Sequence, residues 1–381
     1  MRSINCKAQK IKETIMANGL DDVVAADTVL SDVDGVGGHL TIRGHSLMEL
    51  AGRWRYAQVV RLLFDGFFDE LPSDAELEKA IGKARVEVFD RVKPMFTQLA
   101  SLDIYSGMRA GMAILPDGDG LADALRLIAA PAVLTPALLR LGQGEIPIVP
   151  DAKADHAGDM LRMLAGTASP ALAKALDSYL VTVCDHGLNA STFATRVVAS
   201  TQAGLTSAIL AGLGALKGPL HGGAPGPVIE MLDAIEASGD AAAWLRNEIA
   251  HGERIMGFGH RIYRVRDPRA DALKAVVRQL GSRNEASSKE MSSRLAFAET
   301  VEQAALEVLR VAKPQRSIQT NVEFYTALLL EAVGFPQEAF SNVFAAGRVA
   351  GWIAHAREQQ ATGRLIRPQS RYIGPVPDLV A

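Results

Sequence analysis

An all-α fold is the class this sequence predicts, and three observations predict it. Helix-period apolar patterns run almost without interruption from Leu47 to Gln360, and the one clear strand signal is confined to residues 27–43. The breaks between the helical stretches carry helix stop and start chemistry.

The elements follow in order. β-Branched and apolar positions flank an Asp34-Gly35 turn signal, so residues 27–43 read as a small hairpin. Helices are then expected over Leu47–Phe64, Asp74–Val92, Asp119–Leu141, Asp155–Ala165, Pro170–Cys184 and Ala190–Leu216. Six more are expected over Pro227–Ala237, Ala241–Ile249, Pro268–Leu280, Ser287–Val311, Val322–Val333 and Gln337–Gln360. Gly66 precedes the Leu71-Pro72-Ser73-Asp74 helix start, and Gly334-Phe335-Pro336 divides the last two helices. No fixed-period repeat occurs, which disfavours a solenoid, and no Gly/Ser or Pro-rich linker separates independent units. A second domain must therefore form by chain excursion and return, and clefts gather at such junctions.

Composition narrows the function classes. The chain has 381 residues, 48% of them apolar and 22% charged, which fits a large packed core and excludes disordered and collagen-like classes. Lys and Arg number 40 against 43 Asp and Glu, for a net charge of −3 without long single-sign blocks, so neither nucleic acid nor an anionic membrane is expected as a partner. Cys6 and Cys184 are too few for a disulfide framework and lack metal or redox spacing. The first twenty residues carry no secretion-signal pattern, so a cytoplasmic location is expected. Val197–Leu216 runs twenty residues without a charge, but its Ser, Thr, Gln and Gly content points to a buried or subunit-interface helix and away from a membrane span.

Four segments hold groups suited to chemistry. In Asp185-His186-Gly187-Leu188-Asn189-Ala190-Ser191, His186 and Asn189 stand at a helix junction; the plain alternative is a histidine bonding a helix end. In Lys217-Gly218-Pro219-Leu220-His221-Gly222-Gly223, glycines allow close backbone approach. An imidazole beside the N-terminus of the next helix is held neutral there and able to donate to a carbonyl becoming an enol oxygen, unless the turn carries its histidine incidentally. Gly257-Phe258-Gly259-His260 is followed by Arg261, Arg264, Arg266 and Arg269, a cluster of guanidiniums suited to carboxylate or phosphate, or else a solvated basic turn. Glu323, in Thr320-Asn321-Val322-Glu323-Phe324-Tyr325, is a carboxylate at an otherwise apolar helix start, where burial raises the pKa towards that of a usable base; dipole-favoured Glu in a first turn is the ordinary alternative. Arg348 and Arg367 read as surface charge when taken alone. Metal-ligand, dinucleotide, phosphate-loop and serine-nucleophile motifs are all missing, so no metal or redox cofactor is expected.

Taken together, Gly218-Pro219-Leu220-His221-Gly222-Gly223, Gly257 to Arg264 with Asp267-Pro268-Arg269, and Asn321-Val322-Glu323-Phe324-Tyr325 resemble, in order and spacing, the active-site segments of the citrate synthase family. The resemblance extends from Leu20-Asp21-Asp22-Val23-Val24 to Arg367-Pro368. It implies a citrate synthase-like fold: a large helical domain (1–221 and 329–381) and a small CoA-side domain (222–328) closing over a cleft, in a homodimer. The implied reaction joins the acetyl methyl of acetyl-CoA to oxaloacetate and hydrolyses the thioester, with no resident cofactor and the coenzyme A thioester as co-substrate. Carried over by position, Glu323 matches the base, His221 the enol-stabilising histidine and His260 the histidine that polarises and protonates the ketone. His186, Arg269 and Arg348 match oxaloacetate-binding groups, and Asn189, at the same helix junction as His186, is expected to bind substrate with them. Arg264 and Arg316 match CoA phosphate contacts, while Arg367 resembles the arginine that enters the neighbouring subunit's site. Two departures stand out: the family base is usually Asp, and a Pro usually precedes the Asn, where this chain has Glu323 and Thr320. A sister activity on propionyl-CoA (2-methylcitrate synthase), a non-catalytic CoA- and dicarboxylate-binding paralogue, and citryl-CoA cleavage are the competing readings.

Overall fold

A computed structural model describes Leu20 and residues 23–221, 225–282 and 286–374. Three short strands, β1 (Ser31–Asp34), β2 (His39–Ile42) and β3 (His45–Ser46), form one antiparallel meander in which Ser31 faces Ile42 and Ile42 faces His45. Asp34 builds the turn as its composition predicts: Oδ1 accepts from the backbone N–H of Val36 at 3.0 Å and Gly37 at 2.8 Å.

Helices make up nearly all the rest. They are α1 (Leu47–Leu50), α2 (Tyr56–Phe64), α3 (Asp74–Val92), α4 (Phe96–Leu99), α5 (Ile104–Met112), α6 (Leu121–Gly142), α7 (His156–Ala165) and α8 (Pro170–Val183). There follow α9 (Ala190–Ala199), α10 (Leu205–Leu216), α11 (Pro225–Ser238), α12 (Ala241–Ala250), α13 (Pro268–Gly281), α14 (Ala286–Ala312), α15 (Val322–Ala332) and α16 (Phe340–Thr362). Local chemistry sets the boundaries. Ser73 and Glu76 form a reciprocal capping box at α3, and Asp155, Asn189, Asp267 and Asn321 each accept a first-turn N–H.

Three expectations need correction. The stretch Leu47–Phe64 is two helices, broken at Ala51–Arg55 where Gly52 takes φ +73°. The charge-free stretch Val197–Leu216 is likewise no single helix: α9 ends at Ala199, and α10 restarts after Gly204, with Asp117 from a distant loop accepting from Ser207 N at 3.0 Å. Helices α4 and α5, which the pattern left unassigned, fill the gap before α6. In α5, Gly107 and Gly111 lower helix propensity yet are needed, because a Cβ on Gly107 would lie 2.7 Å from Leu99 O and one on Gly111 would lie 2.9 Å from Leu134.

The core is built around α6, on which α3, α5, α7 and α16 pack. By length and apolarity α6 alone among the described helices matches a membrane span, but 83% of that window is buried inside the protein, as a core helix requires. Helix α16 runs beside α6 and also touches α2, α8, α9 and α10, burying Trp352 completely. Helices α11 to α15 pack mainly on one another, and α13 and α15 both lean on α8.

One buried ion network braces α3 against α7. Arg85, fully buried, donates from Nε to Asp159 at 2.8 Å and from Nη2 to the carbonyls of Asp151 and Ala154. Burial first, then the Arg85 charge, holds His156 down at about 3, so its ring stays neutral. Asp159→Ala is expected to destabilise the protein by about 3–5 kcal/mol, because it strands the Arg85 charge without its partner. Denaturant unfolding would read this as a fall in midpoint at constant slope.

Candidate active site

Five helix ends and one helix middle supply the candidate residues: the end of α8, the start of α9, the end of α10, the starts of α13 and α15, and the middle of α16. Close helix approach makes this possible. A Cβ on Gly347 would lie 2.5 Å from Val183, and one on Gly351 would lie 2.3 Å from Cys184 O, so these glycines, one turn apart, let α16 lie against the end of α8. Arg348, between them, is buried and donates from Nε to Val183 O at 2.6 Å.

A short antiparallel pairing joins the histidine loop to the start of α15. Phe258 pairs with Thr320, Gly259 N donates to Gln319 O at 2.8 Å, and Asn321 N donates to Gly257 O at 2.9 Å. Asn321 Nδ2 also donates to Gly259 O at 2.9 Å and lies 3.5 Å from Glu323 Oε2. The pairing fixes the loop that carries His260 against the segment that opens α15 and carries Glu323.

Asp267 organises the cations. Its Oδ1 accepts from Arg269 N and Nε at 3.0 Å, its Oδ2 from Arg269 Nη2 at 2.8 Å, and Oδ2 also accepts from Val322 N at 3.1 Å. One carboxylate therefore caps α13, pairs Arg269 and ties α15 to both. Arg269 Nη2 lies 3.2 Å from His260 Nε2, and the ring of His260 lies edge-on to His186, centroids 5.4 Å apart. Tyr263 closes the group, with its hydroxyl 3.3 Å from His186 Nε2 and its ring 4.8 Å from that of His260.

Hydrogen bonds orient two histidines. His260 Nδ1 accepts from the N–H groups of Ile262 and Tyr263, both at 3.1 Å, which turns Nε2 towards Arg269 Nη2. Nε2 and the guanidinium stand side by side, an arrangement suited to one shared oxygen on a ligand. His221 Nε2 accepts from Ser191 N at 3.3 Å and lies 2.7 Å from Ser191 Oγ, which leaves the proton on Nδ1. Ser191 is held in turn by Trp352 Nε1, which donates to its Oγ at 3.2 Å, and by Asn189 Oδ1 at 2.7 Å.

Electrostatics keeps these imidazoles neutral and the carboxylate basic. Burial, then the charges of Arg269, His260 and Arg348, hold His186 well below the usual histidine range. Burial with Arg348 and Arg261 brings His221 down to about 4, and burial with Arg269 brings His260 to about 4 against the opposing pull of Asp267. For Glu323, burial raises the pKa more than Arg269, Arg254 and Asn321 lower it, and the net value is about 6. Burial lowers Arg348 to about 10, still charged at neutral pH, and among the described residues no carboxylate lies within ion-pair distance of its guanidinium. A buried cation of this kind is suited to an anionic ligand.

The structure thus gathers His186, His221, His260, Arg269, Glu323 and Arg348 into one electrostatic neighbourhood. Asn189 stands at its edge, but its side chain is engaged as the cap of α9, accepting from Ser191 N at 3.1 Å and Thr192 N at 3.2 Å. Arg264 and Arg316 are exposed outside the cluster. Arg367 is exposed in the extended tail, which Ser200 ties down by accepting from Ile366 N at 3.0 Å. Gly222 and Gly223 of the predicted turn lie outside the described residues, as do Asp21 and Asp22. Sequence reasoning gave no role to Tyr263 or Asp267, or to Ser191 beyond a possible helix cap. Asp267 before Pro268 reads only as a helix cap, which it is, and its second task is visible only in three dimensions.

Comparison with known proteins bears on the chain as a whole. The sequence profile described as citrate synthase, C-terminal domain, matches residues 19–369. The citrate synthase of Acidithiobacillus ferridurans is 34% identical over 381 residues, covering 95% of this chain and 96% of its own. The 2-methylcitrate synthase of Mycobacterium tuberculosis is 34% identical over 377 residues, covering 93% and 90%. Among solved structures, the citrate synthase of Thermoplasma acidophilum, in ternary complex with carboxymethyl coenzyme A and oxaloacetate, superposes with a TM-score of 0.82 at 27% identity over 95% of this chain and 97% of that one. This chain belongs to the citrate synthase family, whose members are acyltransferase enzymes.

Proposed function

We propose that the protein condenses acetyl-CoA with oxaloacetate and hydrolyses the resulting thioester to citrate and CoA. The observation that carries this reading is a base of pKa about 6, Glu323, adjoining a pocket of neutral imidazoles and the buried Arg348. Oxaloacetate supplies two carboxylates for Arg269 and Arg348 and a ketone oxygen for His260 Nε2–H, with His186 beside it. Glu323 takes a methyl proton from the acetyl group while His221 Nδ1–H donates to the thioester oxygen. The enol carbon then forms the new C–C bond to the ketone carbon, whose oxygen receives the His260 proton, and water cleaves the citryl thioester. Fixed donors aimed at developing oxyanions supply the rate.

Under this reading the cleft lies between a large unit (1–221 and 329–381) and a small CoA-side unit (222–328), and Arg264 with Arg316 meets the CoA phosphates. A homodimer in the cytoplasm, with Arg367 reaching the second site, completes the proposal. Its support is the exposed position of Arg367 on an extended tail. The 2-methylcitrate synthase match keeps propionyl-CoA as the competing thioester, since one methylene in an apolar pocket shifts selectivity by only about 1–3 kcal/mol.

Thiol release measured with oxaloacetate plus acetyl-CoA, and separately propionyl-CoA, tests the proposal. Thiol should appear only when both substrates are present, faster with acetyl-CoA, and citrate should appear by mass. Binding of both ligands without thiol release from either thioester would contradict it. The pH profile adds a second check. Glu323 acts ionised and its pKa is raised, so kcat/KM should fall tenfold per pH unit below about pH 6, an acid limb well above that of an ordinary glutamate.

A further inference from the structure

Behind the site, on α14, Glu302 is fully buried. Its Oε1 accepts from Thr320 Oγ1 at 2.6 Å and Arg266 Nη1 at 2.7 Å, and its Oε2 accepts from Tyr325 Oη at 2.6 Å and Lys274 Nζ at 2.9 Å. Thr320 stands just before the Asn321 cap, and Tyr325 stands in the opening turn of α15, so the two oxygens of one carboxylate grip the chain on both sides of Glu323. Arg266 directly precedes Asp267, the residue that ties Val322 N to Arg269. Burial alone would favour the protonated acid, but the donors from Thr320, Tyr325, Lys274 and Arg266 outweigh it and hold Glu302 at about 2.

Stability alone is a weak reason for such a cluster, since well-packed apolar groups replace buried ion networks with little loss and often with gain. Directional bonds do what apolar packing does not: they fix register. We propose that Glu302 is a positioning residue which, through Thr320 and Tyr325, sets the start of α15 and thereby the distance between the Glu323 carboxylate and the carbon it deprotonates. This rests on the reading of Glu323 as the base. The side chain of Glu is one methylene longer than that of Asp, so the placement of its backbone decides whether the carboxylate meets the methyl group, and an error of ~1 Å costs on the order of a hundredfold in rate.

Thr320→Val removes one of the four donors and keeps the shape. It is expected to lower kcat roughly tenfold while the KM for oxaloacetate stays within about twofold, because Arg269 and Arg348 are untouched. The primary isotope effect with trideuterioacetyl-CoA should rise, since proton abstraction becomes more rate-limiting. A mere loss of folded protein would lower kcat and leave that effect unchanged. Glu302→Gln should act in the same direction and more strongly, and Thr320→Val alone carries the test if Glu302→Gln does not fold. Wild-type turnover and isotope effect in folded Thr320→Val would overturn the proposal. Absence of thiol release from the wild type would defeat the catalytic reading instead. Positioning would then be read from crystal structures of the wild type and Thr320→Val: a Glu323 carboxylate displaced by about 1 Å supports it, and an unmoved one overturns it.

Discussion

Glu323→Gln is expected to lower kcat by about 10²–10⁴-fold, the range a positioned general base contributes. The amide matches the carboxylate in size and still lies near Asn321 Nδ2, so the start of α15 should hold its place. What disappears is the carboxylate proposed to accept the carbon-bound proton. Burial makes the loss large, because it is burial that lifts the carboxylate to about 6 and makes it basic enough to act. Oxaloacetate affinity should change little, as its proposed partners are Arg269, Arg348, His186 and His260. Steady-state thiol release with oxaloacetate titration separates the two quantities, and turnover within a few-fold of wild type would remove Glu323 from the mechanism.

Arg348→Leu should have the second largest effect, and of a different kind. The guanidinium is buried, carries its charge at neutral pH and has no carboxylate partner among the described residues. Truncating one member of a buried charge pair costs about 2–5 kcal/mol of binding, which is roughly thirty-fold to a few thousand-fold in oxaloacetate affinity. Folding stability should respond in the opposite sense to Asp159→Ala. Leu removes an unpaired buried charge, at the loss of one bond to Val183 O and the contact with the Phe344 ring at 4.7 Å. A melting temperature unchanged or higher, together with a greatly raised KM for oxaloacetate, is the expected result. Unchanged KM would show that Arg348 does not face the substrate.

Much of this was legible before any coordinates, because the chemistry-bearing residues lie in short segments whose glycines, histidines and arginines are unusual locally. His186, His221, the His260–Arg269 segment, Glu323 and Arg348 come from five parts of the chain and act on one another electrostatically. Helix content was legible through apolar period, which burial against α6 enforces. The rest was hidden for physical reasons. Gly107 and Gly111 make α5 look unlike a helix, and only the closeness of Leu99 and Leu134 explains them. The break between α9 and α10 carries a local glycine signal at Gly204, but the group that secures it, Asp117, lies some ninety positions upstream. Glu302 reads as one charge among several on α14, and its four donors come from α13, the loop before it and the start of α15. Arg367 shows the converse case: its position is plain in the sequence, while its proposed task needs a second copy of the chain.

The most direct test is a crystal structure of the protein with oxaloacetate and a non-reactive acetyl-CoA analogue. The acyl carbon should lie within about 3.5 Å of a Glu323 oxygen, with the thioester oxygen on His221 Nδ1 and the oxaloacetate ketone oxygen on His260 Nε2. An acyl group bound with Glu323 turned away, or oxaloacetate seated without Arg348 and His260, would contradict the account.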